Sequence, residues 1–178
     1  MDQPHIVAIG GTLRAQSATG RLLAAALEMA EARGARTTLL TGEAIAFPHY
    51  EPGNADGNAP IGRFVEAIRT ADAVIIGSPG YHGTLSGLVK NALDHVELLR
   101  GDDRCYFDGM PVGLIATAAG WQAAVSTLQA LRTVTHALRG WPTPMGLAIN
   151  TAEQGDAIAA CSGPMEVMVD QIFGFLRR

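Results

Sequence analysis

Apolar residues fall along this chain in two rhythms that alternate five times: short continuous blocks, then longer stretches spaced three and four residues apart. The first block, His5–Ile9, stops at Gly10-Gly11 and predicts a short buried strand ending in a tight turn. From Thr19 to Arg33, Leu22, Leu23, Ala26, Leu27 and Ala30 recur at helical spacing, and Gly34 stops the run as a C-terminal cap. Arg36–Leu40 predicts a second strand, and Pro48–Pro60, rich in Gly, Pro, Asn and Asp, a long surface loop. Ile61–Thr70 reads as a helix through Phe64, Val65 and Ile68. Ala73–Gly77 is the most continuous apolar block and therefore a central strand, ending at Ser78-Pro79-Gly80. Leu85–Leu99 and Val125–Leu138 read as helices flanking a strand at Met110–Ala116. Pro144–Ile149 and Met165–Leu176 supply the last strand and helix.

Strand-helix alternation with short connections predicts an α/β fold, an open doubly wound sheet of five parallel strands with helices on both faces. Such a sheet binds its ligand beyond the carboxyl ends of its strands, near the point where strand order reverses. Chemistry is therefore expected in the loops after strands one, three and four. A length of 178 residues, 48% of them hydrophobic, supports one core rather than two, so the whole chain, 1–178, is expected to be a single domain.

The net charge of −4 and the absence of any run of five or more basic residues argue against a nucleic-acid partner. The first residues lack the basic, apolar and small-residue pattern of a leader, and no apolar run reaches the roughly 18 residues a membrane span needs, so a cytoplasmic location is expected. Cys105 and Cys161 stand far apart without a Cys or His at ligand spacing. They read as two reduced thiols, and no metal site is expected.

The first loop, Gly10–Gly20, suits an anion. Two glycines allow close backbone approach, a helix start presents free N–H groups, Thr12, Ser17 and Thr19 offer hydroxyls, and Arg14 adds a charge able to bind phosphate through two N–H bonds. Ser17 or Thr19 can equally serve as a plain helix cap. Neither the Walker A pattern nor G-x-G-x-x-G is present. The second loop carries Tyr81 and His82 among Pro79, Gly80 and Gly83, where an aromatic ring beside glycine-rich backbone suits a flat cofactor; His82 is alternatively a solvated loop residue. In the third loop, Ala119 and Gly120 leave room for a ring edge, while Trp121 either walls the pocket or belongs to a subunit interface. Lys90 and Asp94, at i and i+4, read as a helix-surface ion pair, and Trp141 as a packing residue.

With these loops in view, the chain resembles the NAD(P)H-dependent FMN reductase family of flavodoxin-like proteins over nearly its whole length. The family's first loop, roughly G-S-x-R-x-x-S, is matched by Gly11, Thr12, Arg14 and Ser17. Its P-x-Y followed by S-G-x-x-K-N-A-x-D is matched by Pro79, Tyr81, Ser86, Gly87, Lys90, Asn91, Ala92 and Asp94. The resemblance implies that Thr12, Arg14, Ser17 and Thr19 hold the phosphate of FMN. It further implies that Pro79, Gly80, Tyr81, His82 and Gly83 hold its ring, with Ala119, Gly120 and Trp121 completing the pocket. It implies reduction by NADPH or NADH, with the flavin doing the chemistry and no catalytic side chain required. It also implies a homodimer or homotetramer. Where many members have Glu and Asn flanking the tyrosine, this chain has Gly80 and His82; where many have a Gly pair, it has Ala118 and Ala119. Three other readings stay open: bound FMN passing electrons to a quinone, azo compound or metal ion, a non-enzymatic electron carrier, and a flavin-free binding module on the same fold.

Overall fold

A computed structural model of the chain describes residues 3–53, 57–153 and 155–177. Strand β1, His5–Gly10, is followed by helix α1, Ala18–Glu31, and strand β2, Arg36–Thr41. Helix α2 is Ala59–Arg69 and strand β3 is Ala73–Tyr81, which turns back into the two-residue strand β4, Thr84–Leu85. Helix α3, Gly87–Asp94, tightens into a 3-10 turn at His95–Leu99, and strand β5, Pro111–Ala118, leads into helix α4, Trp121–Ala137. Strands β6, Trp141–Pro142, and β7, Leu147–Asn150, precede helix α5, Ala157–Leu176.

The sheet runs β2-β1-β3-β5, with β6 and β7 both beyond β5, and every pairing but the β3–β4 hairpin is parallel. Strand order thus reverses at β1 and β3, so their carboxyl ends diverge to either side of a crevice. Alternation along the strands splits the core in two. Val7, Ile9, Val74 and Ile76 face α2, α3 and α4, whereas Ile6, Ala8, Ala73 and Ile75 face α1 and α5. Among the described residues no helix is long and apolar enough to cross a membrane.

The α/β doubly wound architecture stands as expected, but with seven strands rather than five. One addition is β4. The other is β6, Trp141–Pro142, which lies ahead of the last strand; that strand, expected at Pro144–Ile149, forms only from Leu147. Pro144 has no N–H for the ladder, the Thr143 hydroxyl donates to the Met145 carbonyl (2.6 Å), and the Met145 N–H turns away to the Gln171 side chain (2.8 Å). Arg132 donates to the Thr143 and Pro144 carbonyls at 3.2 and 3.0 Å, holding the stretch between β6 and β7 from α4.

Helix α5 begins eight residues before the expected Met165, with Pro164 inside it and the Asp156 carboxylate capping the Ile158 N–H at 2.9 Å. The expected helix over Leu85–Leu99 starts only at Gly87, because the Ser86 hydroxyl accepts from the Val89 N–H and fixes the start there. Within the expected loop Pro48–Pro60, residues 54–56 lie outside the described residues, and 59–60 already belong to α2. The loop's near end is fastened by Asn91, whose side chain accepts from the Tyr50 N–H and donates to the Phe47 and Pro48 carbonyls. Lys90 and Asp94 form the expected surface pair at 2.6 Å.

Candidate functional site

Loop one leaves β1 through a contact only glycine allows. Gly10 has φ 140°, and a Cβ there would lie 1.7 Å from the Gly77 carbonyl oxygen of β3. Gly11, at φ 84°, donates its N–H to that same oxygen at 3.1 Å. The loop then closes on itself: the Arg14 N–H donates to the Thr12 hydroxyl (3.1 Å), and the Gly20 N–H donates to the Ser17 hydroxyl that caps α1 (3.0 Å). Both hydroxyl oxygens therefore accept from backbone and keep their own protons to give. The N–H groups of Ala18 and Thr19, first in α1, have no intrahelical acceptor. Arg14 is exposed and makes no ion pair among the described residues.

Thr19 is placed differently from the other loop-one residues. It is buried, and its hydroxyl pairs with that of Thr117 at 2.7 Å, tying the start of α1 to the end of β5.

Loop two is a hairpin whose turn residues, His82 and Gly83, have φ 51° and 89°, the paired positive values of a two-residue turn that follows the sheet's twist. Pro79 still pairs with β5, opposite Thr117. By alternation its missing N–H falls on the side Gly77 turns to β1, which β1 has by then vacated. A Cβ on Gly80 would come 2.4 Å from the Thr127 hydroxyl, so the hairpin lies flush on α4. The Ser78 hydroxyl accepts from the Ser86 N–H (2.9 Å) and clamps the hairpin to the start of α3. Tyr81 stands out from this frame, 53% exposed.

In loop three, Ala119 and Gly120 (φ 142°) lead into α4, and Trp121, also 53% exposed, donates its indole N–H to the Glu153 carboxylate at 2.7 Å.

Two concave surfaces result. A shallow cleft of about 300 Å³ lies between loop one (Gly11–Arg14), Tyr81 and the first residues of α3. A larger one of about 770 Å³ runs between α1, β7 and α5, with Ala18, Arg21 and Trp121 in its lining. Of the residues expected from the sequence, Thr12, Arg14 and Tyr81 share the smaller cleft and Trp121 lines the larger. Ser17, Thr19, Pro79, Gly80, His82, Gly83, Ala119 and Gly120 line neither and form the frame around them. Leu13 and Leu88 in the smaller cleft, and Arg21, Asn150, Glu153 and Cys161 in the larger, were not anticipated. Arg21 had a signal in the sequence, since it follows Ser17 by four residues on one helix face. Burial pushes the Cys161 thiol above its ordinary pKa, which keeps it protonated and uncharged.

Strand order and loop placement define the chain as a flavodoxin-like α/β protein. FerB, a flavoenzyme NAD(P)H:(acceptor) oxidoreductase from Paracoccus denitrificans, superposes with a TM-score of 0.79 at 22% identity, over 98% of this chain and 97% of that one. A flavodoxin, WrbA-like protein from Agrobacterium tumefaciens superposes at 0.68 and 19% identity, over 99% and 98% of the two chains. Residues 4–154 match the NADPH-dependent FMN reductase family, and the chain belongs to it. An FMN-dependent NADPH-azoreductase of Staphylococcus haemolyticus is 34% identical over 90 residues, 51% of this chain and 44% of that protein. Its counterpart in Staphylococcus aureus is 36% identical over 88 residues, 49% and 43%. The match to these relatives thus spans about half of this chain and less than half of theirs.

Proposed function

We propose that this chain is an NAD(P)H-dependent flavin oxidoreductase, a single-domain FMN reductase that holds FMN across the three loops. The observation that carries the reading is the donor set of loop one. The Thr12 and Ser17 hydroxyls each accept one backbone N–H and keep a proton to donate, Arg14 makes no ion pair among the described residues, and two helix-start N–H groups stand beside them. Every group there donates, which is the chemistry a phosphate requires. When bound, FMN supplies acceptance of hydride from a reduced nicotinamide, NADPH or NADH, and its onward transfer.

The chain's own part is placement. Arg14, Thr12 and Ser17 anchor the phosphate, the Thr19–Thr117 pair fixes the distance between loops one and three, and the Pro79–Gly83 hairpin offers backbone and the Tyr81 ring to the flat end of the cofactor. Gly120 and Ala119 leave space at the opposite edge, with Trp121 closing it. The family resemblance implies a homodimer or homotetramer, and the sequence pattern supports a cytoplasmic location. The azoreductase names of the relatives favour a second reading, in which FMN stays bound and electrons pass on to a third compound.

Absorbance spectra test this. The purified protein, loaded with FMN and kept anaerobic, is expected to bleach on addition of NADPH or NADH. Flavin colour surviving purification supports the retained-cofactor reading, and a protein that takes up no FMN refutes the proposal.

A further inference from the structure

The hairpin of loop two rests on α4 through a contact with no room to spare. Gly80 has none of the positive φ that favours glycine, so its backbone would accept a side chain. What forbids one is proximity. A Cβ on Gly80 would come 2.4 Å from the Thr127 hydroxyl, 3.2 Å from the Ala118 Cβ and 3.2 Å from the Ala123 carbonyl oxygen. These three neighbours belong to the end of β5 and the first turns of α4, and loop three is the corner that joins them. Direct packing therefore fixes the spacing between loops two and three.

Thr127 supplies the polar half of this contact. It is fully buried, and its hydroxyl donates to the Thr84 carbonyl on the returning strand of the hairpin at 3.3 Å. Gly80 pairs with Leu85 and Tyr81 with Thr84, so one hydroxyl bonds one strand of the hairpin and lies against the other, next to Tyr81 on both. The Ser78 hydroxyl fastens the hairpin from its far side, donating to the Pro79 carbonyl and accepting from the Ser86 N–H, each at 2.9 Å. Both of those partners lie in β3 and at the start of α3. Among the described residues, Thr127 is the side chain that bonds the hairpin to α4.

We propose that Thr127 is a positioning residue for the flavin: by fixing the distance of the hairpin from α4, it sets the width of the slot between loops two and three that takes the flavin ring. The proposal rests on the reading of Pro79–Gly83 as the holder of that ring, and it concerns the ring end of FMN rather than the phosphate end. Thr127 acts through the hairpin and is not a catalytic residue.

The test is titration of the full-length protein with FMN and with riboflavin, read by the visible absorption of the bound flavin, with melting of the flavin-free protein measured alongside. Thr127→Val replaces the hydroxyl by a methyl group. It is expected to weaken both flavins alike, by about threefold to tenfold, and to shift the absorption of the bound ring, because the ring is common to the two. Thr127→Ser keeps the hydroxyl and is expected to restore affinity and spectrum. Gly80→Ala must lift the hairpin off the hydroxyl and is expected to weaken both flavins at least as much. Adding Thr127→Ala to Gly80→Ala removes the obstructing oxygen and is expected to recover part of that loss, which decides the matter if the valine variant does not fold. Lowered melting with unchanged flavin affinity and spectrum would make Thr127 structural only and overturn the proposal. A loss confined to FMN, or no recovery in the double variant, would overturn it too. If the unaltered protein binds neither flavin, the proposed function itself fails and this assignment with it.

Discussion

Replacing Thr19 and Thr117 by valine, singly and together, separates a structural tie from a cofactor contact. Both residues are buried, at 2% and 3% exposure, and each hydroxyl has the other as its recorded partner, 2.7 Å away across 98 residues of sequence. Valine keeps the shape and removes the hydroxyl. Either single change leaves one buried hydroxyl without its partner, a cost of about 1–3 kcal/mol. The double change removes both polar groups at once and is expected to cost no more than one single change, so the coupling is about 1–3 kcal/mol in favour of the pair. Urea denaturation of the four proteins reads this directly, with equal slopes confirming a common unfolded state. FMN affinity of the double variant is expected to fall far less than that of a variant lacking Arg14. Additive losses in stability would refute the account of Thr19 as half of a closed pair. A collapse of FMN binding in Thr19→Val alone would return it to the phosphate site.

Arg14→Ala is expected to weaken FMN by about 1.5–3 kcal/mol, the value of a hydrogen bond to a charged group, with little change in stability because the side chain is exposed; flavin titration checks it. Gly10→Ala drives a Cβ against backbone oxygen at 1.7 Å and is expected to cost about 3 kcal/mol or more. Gly113→Ala, whose new Cβ meets the flexible Met168 sulfur at 3.0 Å, is expected to cost clearly less, and equal melting of the two would contradict the packing argument. His5 is buried, with Nδ1 donating to the Thr70 carbonyl (3.2 Å) and Nε2 facing the Thr38 hydroxyl (2.9 Å). Burial lowers its pKa below 6.5. The unfolded chain therefore takes up the proton first, so His5 contributes stability that is complete above pH 6.5 and declines as pH falls from there toward the folded-state value. His5→Asn is expected to flatten the stability slope between about pH 7 and pH 5, and an unchanged slope would contradict it.

The sequence carried the fold wherever a periodic pattern exceeded the length of one turn. The blocks at β1 and β3 and the stripe along α1 were legible because burial on one or both faces dictates each residue there. Strand β4 was not, since two residues hold no period, and the late start of β7 depends on Gln171 and Arg132 supplying partners from distant helices. The first turns of α5 were hidden behind Pro164, which reads as a boundary, and Ala157–Ala160 carries no long apolar stripe. At the site, loop one was legible because glycines, hydroxyls and an arginine at a helix start have a local logic. The Thr19–Thr117 and Trp121–Glu153 bonds join residues 98 and 32 positions apart, and no local rule foretells them. The larger cleft escaped for the same reason, being assembled from three elements whose sequences look like ordinary surface.

The most direct test of the central claim, that loop one is a phosphate cradle for a flavin, is calorimetric titration of the protein with FMN and with riboflavin, which has the same ring and lacks the phosphate. The account predicts that FMN binds at least about tenfold more tightly, and that Arg14→Ala removes most of the difference. Equal affinity for the two flavins would contradict it.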